Sequence, residues 1–203
     1  MGSLFAKDQL QWEQLRPAIE PRYSVEKYSA YQYAMQQTLP AQYHWAHFAP
    51  GIIQAILQYP GQELGSHTFS HYYCLEQQQE PRAFEADLQA AQKAAALFNS
   101  KLTSLVFPRN QFNPAYLKTC YEQGITTIRS NPANWFWSPV TNKGSGLVRK
   151  LVRTADAYIQ VGAQRTSYPV STIKKYRASP FNYPPAASYV PGGPNTNLPI
   201  SGA

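Results

Sequence analysis

Two histidines, His67 and His71, are the residues of this chain whose type and spacing most directly suggest chemistry. Imidazole nitrogens are common ligands of divalent metal ions, and two imidazoles four residues apart can converge on one ion from a single turn of chain. The spacing alone is a weak signal, because histidines without a metal are common in cores and on surfaces. Thr68 stands where a zinc protease of the HExxH type has its glutamate, so such a peptidase is disfavoured.

Helices are predicted on both sides of the histidines. Apolar residues after Pro50 recur at helical spacing until Pro60-Gly61 ends the pattern. Residues 81–98 form the clearest helical stripe, and their many alanines have high helix propensity. Two further helices are predicted, one between Asn113-Pro114 and Gly124 and one over residues 147–157.

Strands are predicted between these helices, at residues 102–107 and 125–128. Strands separated by helices of this length favour parallel βαβ units, and therefore an α/β sheet or barrel. A closed α/β barrel typically needs about 250 residues, whereas this chain has 203 residues. We therefore expect a partial, deformed β/α barrel of parallel strands that lacks its first strand or strands.

The chain divides into three predicted parts. Residues 1–44 lack clear periodicity and are rich in Gln, Tyr and Pro, so they are interpreted as an irregular insertion or connecting segment with one helix. Residues 45–179 are predicted to form the α/β domain. Residues 180–203 are rich in proline and contain Gly192-Gly193, so a flexible tail is expected.

Charge and cysteine content limit the classes of partner. The net charge of +7 raises the possibility of a polyanion as a ligand, but lysines and arginines are scattered through the chain and no nucleic-acid-binding motif is present. Nucleic acid is therefore not expected as a partner. Cys74 and Cys120 are isolated, which favours two buried thiols over a disulfide or a cysteine metal site.

Membrane and export signals are not found in the sequence. No run approaches the roughly 18 apolar residues of a membrane span, and the first residues do not follow the pattern of a signal peptide. We expect no membrane span and a cytoplasmic protein, unless the true N-terminus lies upstream of Met1.

Three motifs resemble those of the polysaccharide deacetylases, a family of metal-dependent carbohydrate esterases. Residues 63–71, Glu-Leu-Gly-Ser-His-Thr-Phe-Ser-His, are similar to the family's second motif, in which two histidines after a barrel strand bind the metal. Residues 104–111 resemble the third motif, with Arg109 as the match to its arginine. Residues 134–137, Asn-Trp-Phe-Trp, resemble the aromatic fourth motif. The resemblance covers roughly residues 45–180, and the motifs follow in the family's order.

The resemblance implies a function and a role for each matched residue. A divalent metal, most simply zinc, would be held by His67, His71 and an aspartate, and Thr68 would brace their loop. Arg109 would orient the catalytic carboxylate. Trp135 and Trp137 would line the groove for an acetylated polysaccharide or oligosaccharide, because sugar rings stack on aromatic faces. The reaction implied is removal of N- or O-acetyl groups by metal-activated water.

The acid and base residues of the family have no counterpart in this sequence. Its three aspartates, Asp8, Asp87 and Asp156, do not stand in the paired-aspartate motif that opens the family's barrel, and no histidine follows His71. Asp87 and Asp156 are interpreted as solvated charges on helices. We therefore expect weak activity or none, from a chain that either lacks an upstream strand or is a carbohydrate-binding relic. A basic module that binds polyanions is the other alternative.

Overall fold

A computed structural model describes residues 2–32, 44–129, 134–137, 146–159 and 167–169. The predicted tail at 180–203 lies outside these residues. The α-helices are α1 (Gln9–Leu15), α2 (His44–His47), α3 (Pro50–Leu57), α4 (Pro81–Ala96), α5 (Leu117–Glu122) and α6 (Leu147–Ile159). The strands are β1 (Ser104–Val106), β2 (Thr127–Arg129) and β3 (Ser167–Pro169), and short 3-10 turns cover Gly2–Phe5, Glu26–Tyr28, Pro108–Asn110 and Pro114–Tyr116.

The predicted helices are confirmed, with small differences at their ends. Pro50 and Pro81 each occupy the first turn of a helix, where a missing N–H costs nothing. The side chain of Asn113 accepts a hydrogen bond from the backbone N–H of Ala115, as expected of an N-cap. Gly124 follows α5 with a φ of 82°, a left-handed conformation that favours glycine.

The strands form one three-stranded sheet in the order β1-β2-β3. β1 and β2 are parallel, with Leu105 opposite Ile128, whereas β2 and β3 are antiparallel. Ser66 forms a parallel bridge to Leu105 on the other side of β1, through hydrogen bonds to the backbone of Ser104 and Val106. The parallel βαβ arrangement is thus present in the described residues, and closure into a barrel stays a prediction.

The core lies between α4 and the sheet. The stripe predicted on α4 is buried, since Phe84, Leu88 and Ala91 are at most 5% exposed. These side chains belong to the same apolar cluster as Leu105 and Ile128 of the sheet. The six-residue α5 adds Cys120, which is also fully buried.

The N-terminal segment contributes to this core. Trp12 of α1 stacks on Tyr31 and on Phe69, with ring centroids 5.6 and 6.4 Å apart. Leu15, Trp12 and Tyr31 all belong to the main apolar cluster. The sequence predicted an irregular segment with one helix here, and α1 is a helix within it. The lack of periodicity did not reveal how much of the core the segment supplies.

None of the helices in the described part of the chain is long and apolar enough to cross a membrane.

We expect Leu105→Ala to lower the free energy of unfolding by about 2–5 kcal/mol, because it leaves a cavity beneath the sheet. Leu105 is 1% exposed, whereas Leu10 on α1 is 66% exposed. Leu10→Ala is the matched control and should change stability by less than about 0.5 kcal/mol. Urea unfolding of both variants measures the difference, and equal midpoints would contradict the placement of β1 in the core.

Candidate metal centre

His67 and His71 lie on one loop, directly after the point where Ser66 bridges to β1. Their ring centroids are 4.8 Å apart and their planes are inclined by 61°. Both side chains are half-buried. Two imidazoles at this separation can direct nitrogens toward one ion, which is the arrangement that their spacing in the sequence allowed.

The backbone of this loop is unusual. Thr68 and His71 have φ angles of 61° and 60°, a left-handed conformation that is uncommon for residues other than glycine, asparagine and aspartate. The Thr68 hydroxyl accepts a hydrogen bond from the Tyr72 N–H and donates one to the His67 carbonyl, each at 2.7 Å. Thr68 thus links both ends of the loop, the geometry required for the bracing role that the resemblance implies.

Asp87 of α4 lies beneath the loop, and its interpretation as a solvated charge was wrong. Its side chain is fully buried, and its carboxylate accepts hydrogen bonds from the Phe69 N–H at 2.7 Å and the Ser70 N–H at 3.0 Å. The Ser70 hydroxyl donates a further hydrogen bond. The sequence did indicate this burial, because Asp87 is three residues after Phe84 and four before Ala91, and therefore lies on the helix's apolar stripe.

The protonation state of His67 follows from its partner. Its Nδ1 lies 2.9 Å from the Val106 carbonyl oxygen, which can only accept a hydrogen bond. Nδ1 must therefore carry the proton, and the lone pair of Nε2 is left to bind a metal. Burial lowers the pKa of His67 below its ordinary value. A neutral imidazole is the form that binds a metal ion.

His71, like His67, has a lowered pKa that favours its neutral form. Burial, together with the smaller effects of the neighbouring His67 and Arg109, lowers its pKa to about 4. Above this pH the His71 ring has a free nitrogen lone pair. Both histidines are therefore suited to metal binding near neutral pH.

Arg109 lies at the same edge of the sheet, in the turn that follows β1. Its guanidinium carbon is 4.6 Å from the centroid of the Tyr73 ring and 5.5 Å from that of Tyr28. Tyr73 in turn contacts His71, with ring centroids 5.0 Å apart. The structure thus brings Arg109 to within one aromatic ring of the histidine pair, which sequence distance alone did not reveal.

Trp135 and Trp137 pack on the polar side of α6. The guanidinium carbon of Arg149 is 6.0 Å from the Trp135 ring centroid, and that of Arg153 is 5.2 Å from the Trp137 ring centroid. The Trp137 indole N–H donates to the Asp156 carboxylate at 2.7 Å. Asp156 is therefore hydrogen-bonded rather than simply solvated, and Trp135, at 59% exposed, presents a ring to solvent.

The histidines supply two ligands, and a stable site needs more. Within the described residues, no group of three or more His, Cys, Asp or Glu side chains lies close enough to hold a metal ion. Cys74 and Cys120 are buried thiols, as predicted, and burial raises the pKa of both, that of Cys120 to about 12. Metal ligation requires a thiolate, so neither cysteine is suited to complete the site.

Comparison with known proteins gives no match, whether the chain is scanned against protein-family models or searched against curated proteins and solved structures. The resemblance to polysaccharide deacetylases therefore depends on the three motifs and on the geometry of the histidine loop. The second and third motifs meet at one edge of the sheet, through His71, Tyr73 and Arg109.

We expect acidification to destabilise the wild-type protein more than it destabilises the His71→Asn variant. The pKa of His71 is lowered from 6.5 to about 4 in the folded protein, so the unfolded chain binds a proton more readily. The stability that the neutral ring contributes is complete above pH 6.5 and is lost as the pH falls toward about 4. Asparagine does not titrate and tolerates the left-handed backbone.

Urea unfolding midpoints of both proteins at about pH 7 and pH 5 measure this effect, compared as a difference between variants. Asp87 is present in both proteins, so its own titration does not distinguish them. An equal loss of stability on acidification in the two proteins would contradict a depressed pKa at His71.

Proposed function

We propose that this chain is a polysaccharide deacetylase-like hydrolase that acts on N- or O-acetyl groups of a carbohydrate at a metal held by His67 and His71. The observation that carries the proposal is the convergence of the two imidazoles, 4.8 Å apart, where a parallel strand segment ends. Two features add support. The Val106 carbonyl fixes the tautomer of His67, and Arg109 lies beside the pair.

A divalent ion such as zinc, when bound, polarises an acyl oxygen and lowers the pKa of a bound water. The chain's own contribution is to hold two neutral, half-buried imidazoles close together, with the Arg109 guanidinium nearby. The Arg109 guanidinium is suited to orient a carboxylate or to stabilise negative charge at this edge of the sheet. The exposed ring of Trp135 offers a surface on which a sugar ring can stack.

Weak activity is part of the proposal, because the three aspartates of the sequence already have structural partners. Asp8 caps α1 by accepting from the Gln11 N–H at 2.8 Å. Asp87 is sealed beneath the histidine loop, and Asp156 accepts from Trp137. A carboxylate that takes a proton from water must reach that water, and Asp87 is fully buried.

We expect the wild-type protein to bind Zn²⁺ and both His67→Ala and His71→Ala to weaken binding by more than about 100-fold. The magnitude follows because loss of a residue that merely orients a metal ligand already costs about 10–100-fold. Isothermal titration calorimetry measures the affinity. His47→Ala is the matched control, since His47 lies on α2 and contacts Phe48.

The control should bind Zn²⁺ as the wild type does. Equal affinity in the wild type and the His67 and His71 variants would place the metal elsewhere and remove the basis for the proposed reaction. A wild type without measurable affinity would do the same.

The alternative function is a carbohydrate-binding protein of the same fold that does not hydrolyse its ligand. It is favoured by the engagement of Asp8, Asp87 and Asp156 in structural hydrogen bonds. Under this alternative, glycan binding depends on the aromatic surface and requires no metal.

Acetate release and glycan binding, measured side by side with N-acetylglucosamine oligomers and acetylated xylan, separate the two functions. For a hydrolase we expect slow acetate release that depends on zinc and disappears in His67→Ala. Trp135→Ala should weaken binding by about 3–10-fold, the usual value of one aromatic contact. Glycan binding without acetate release would favour the alternative. Absence of both glycan binding and acetate release would exclude both functions.

A further inference from the structure

A buried carboxylate at Asp87 requires an explanation beyond packing. The side chain is fully buried on a helix face formed mainly of alanine, leucine and phenylalanine. Removing an ionised group from water is costly unless its oxygens are hydrogen-bonded. Among the described residues, no cationic side chain forms an ion pair with Asp87. Its compensation comes from donors on the histidine loop.

Those donors belong to the two residues at the centre of the loop. One carboxylate oxygen accepts from the Phe69 N–H, and the other accepts from the N–H and the hydroxyl of Ser70. Phe69 and Ser70 stand between His67 and His71 in the chain. Fixing their backbone therefore fixes the distance and orientation between the two histidine backbones.

Phe69 anchors the loop from the opposite side. Its carbonyl accepts a hydrogen bond from the Gly2 N–H at 2.8 Å, and its ring stacks on Trp12. The Phe69 ring lies so close to Gly2 that a Cβ there would be 2.1 Å from it. The centre of the loop is thus held between the N-terminal segment and α4.

The structure assigns Asp87 as a positioning residue of the histidine pair. Its carboxylate holds residues 69 and 70 so that the left-handed turns at Thr68 and His71 persist and the two rings stay 4.8 Å apart. The inference deepens the proposed function, since it rests on the metal site at His67 and His71. Asp87 itself is not a ligand, because its oxygens are occupied by the loop's own donors.

Asp87→Asn tests the role with little change in volume. The amide has one acceptor oxygen, so its NH₂ group must face an N–H or hydroxyl donor of the loop. We expect Zn²⁺ affinity to fall by about 10–100-fold, the usual effect of losing a group that orients a metal ligand. Glu85→Gln is the matched control, since Glu85 is on the same helix and bonds side chains away from the loop.

Two readouts are independent of the metal. Amide hydrogen exchange at Phe69 or at Ser70 should become faster in Asp87→Asn than in Glu85→Gln, because one of the two N–H groups loses its acceptor. Long-range ¹⁵N NMR correlations should show His67 protonated at Nδ1 in the wild type and as a mixture of tautomers in Asp87→Asn. A purely structural role in the core would leave the tautomer unchanged.

The outcomes separate this inference from the proposed function. Weaker zinc binding, faster exchange and a mixed tautomer in a folded Asp87→Asn support the positioning role. Wild-type affinity in that variant would overturn it. If the wild type binds no zinc, the metal site fails, and the exchange rates and the His67 tautomer alone decide whether Asp87 positions the loop.

If Asp87→Asn does not fold, Ser70→Ala is tested in its place. It removes the hydroxyl donor and leaves both backbone hydrogen bonds to Asp87 in place. We expect a smaller loss of zinc affinity, about threefold, in keeping with one hydrogen bond of three. Unchanged affinity and unchanged exchange at Phe69 in folded Ser70→Ala would overturn the inference.

Discussion

The hydrogen bonds between the buried Asp87 carboxylate and the backbone of Phe69 and Ser70 join α4 to the histidine loop. Three residues separate His67 from His71, and this carboxylate accepts hydrogen bonds from the backbone N–H groups of two of them, Phe69 and Ser70. A loop of this kind, without such an acceptor, would leave two N–H groups unpaired in the protein interior. The convergence of the imidazoles depends on this contact between a helix and a turn.

The second constraint is β1, which positions the histidine loop and Arg109 at this edge of the sheet. Its backbone pairs with Ser66, and its last residue, Val106, supplies the carbonyl that accepts from His67. The turn that follows β1 carries Arg109, placed against Tyr73. Because the carboxyl ends of parallel strands lie at the same edge of a sheet, residues distant in sequence meet there. One short strand thus positions the ring of a histidine and the guanidinium of an arginine.

Electrostatics at this edge keep the histidines neutral. Burial lowers the pKa of both rings, and the charge of Arg109 adds to the effect at His71. On the other side of the loop, burial raises the pKa of Asp87 to about 6, against the three hydrogen bonds that favour its ionised form. The histidine loop therefore lies between the Asp87 carboxylate, which accepts hydrogen bonds from the loop, and the Arg109 guanidinium, whose charge disfavours protonation of His71.

The amino-acid sequence by itself predicted α3 to α6 and the strands β1 and β2, and Pro50, Pro81, Asn113 and Gly124 mark helix ends by local backbone chemistry. It also identified His67 and His71, whose spacing confines them to one turn. Only the tertiary structure decided that Asp87 is buried beneath them, that Arg109 lies beside Tyr73, and that Trp12 and Tyr31 belong to the core. These are contacts between residues far apart in the chain, and local patterns carry no information about which distant segments pack together.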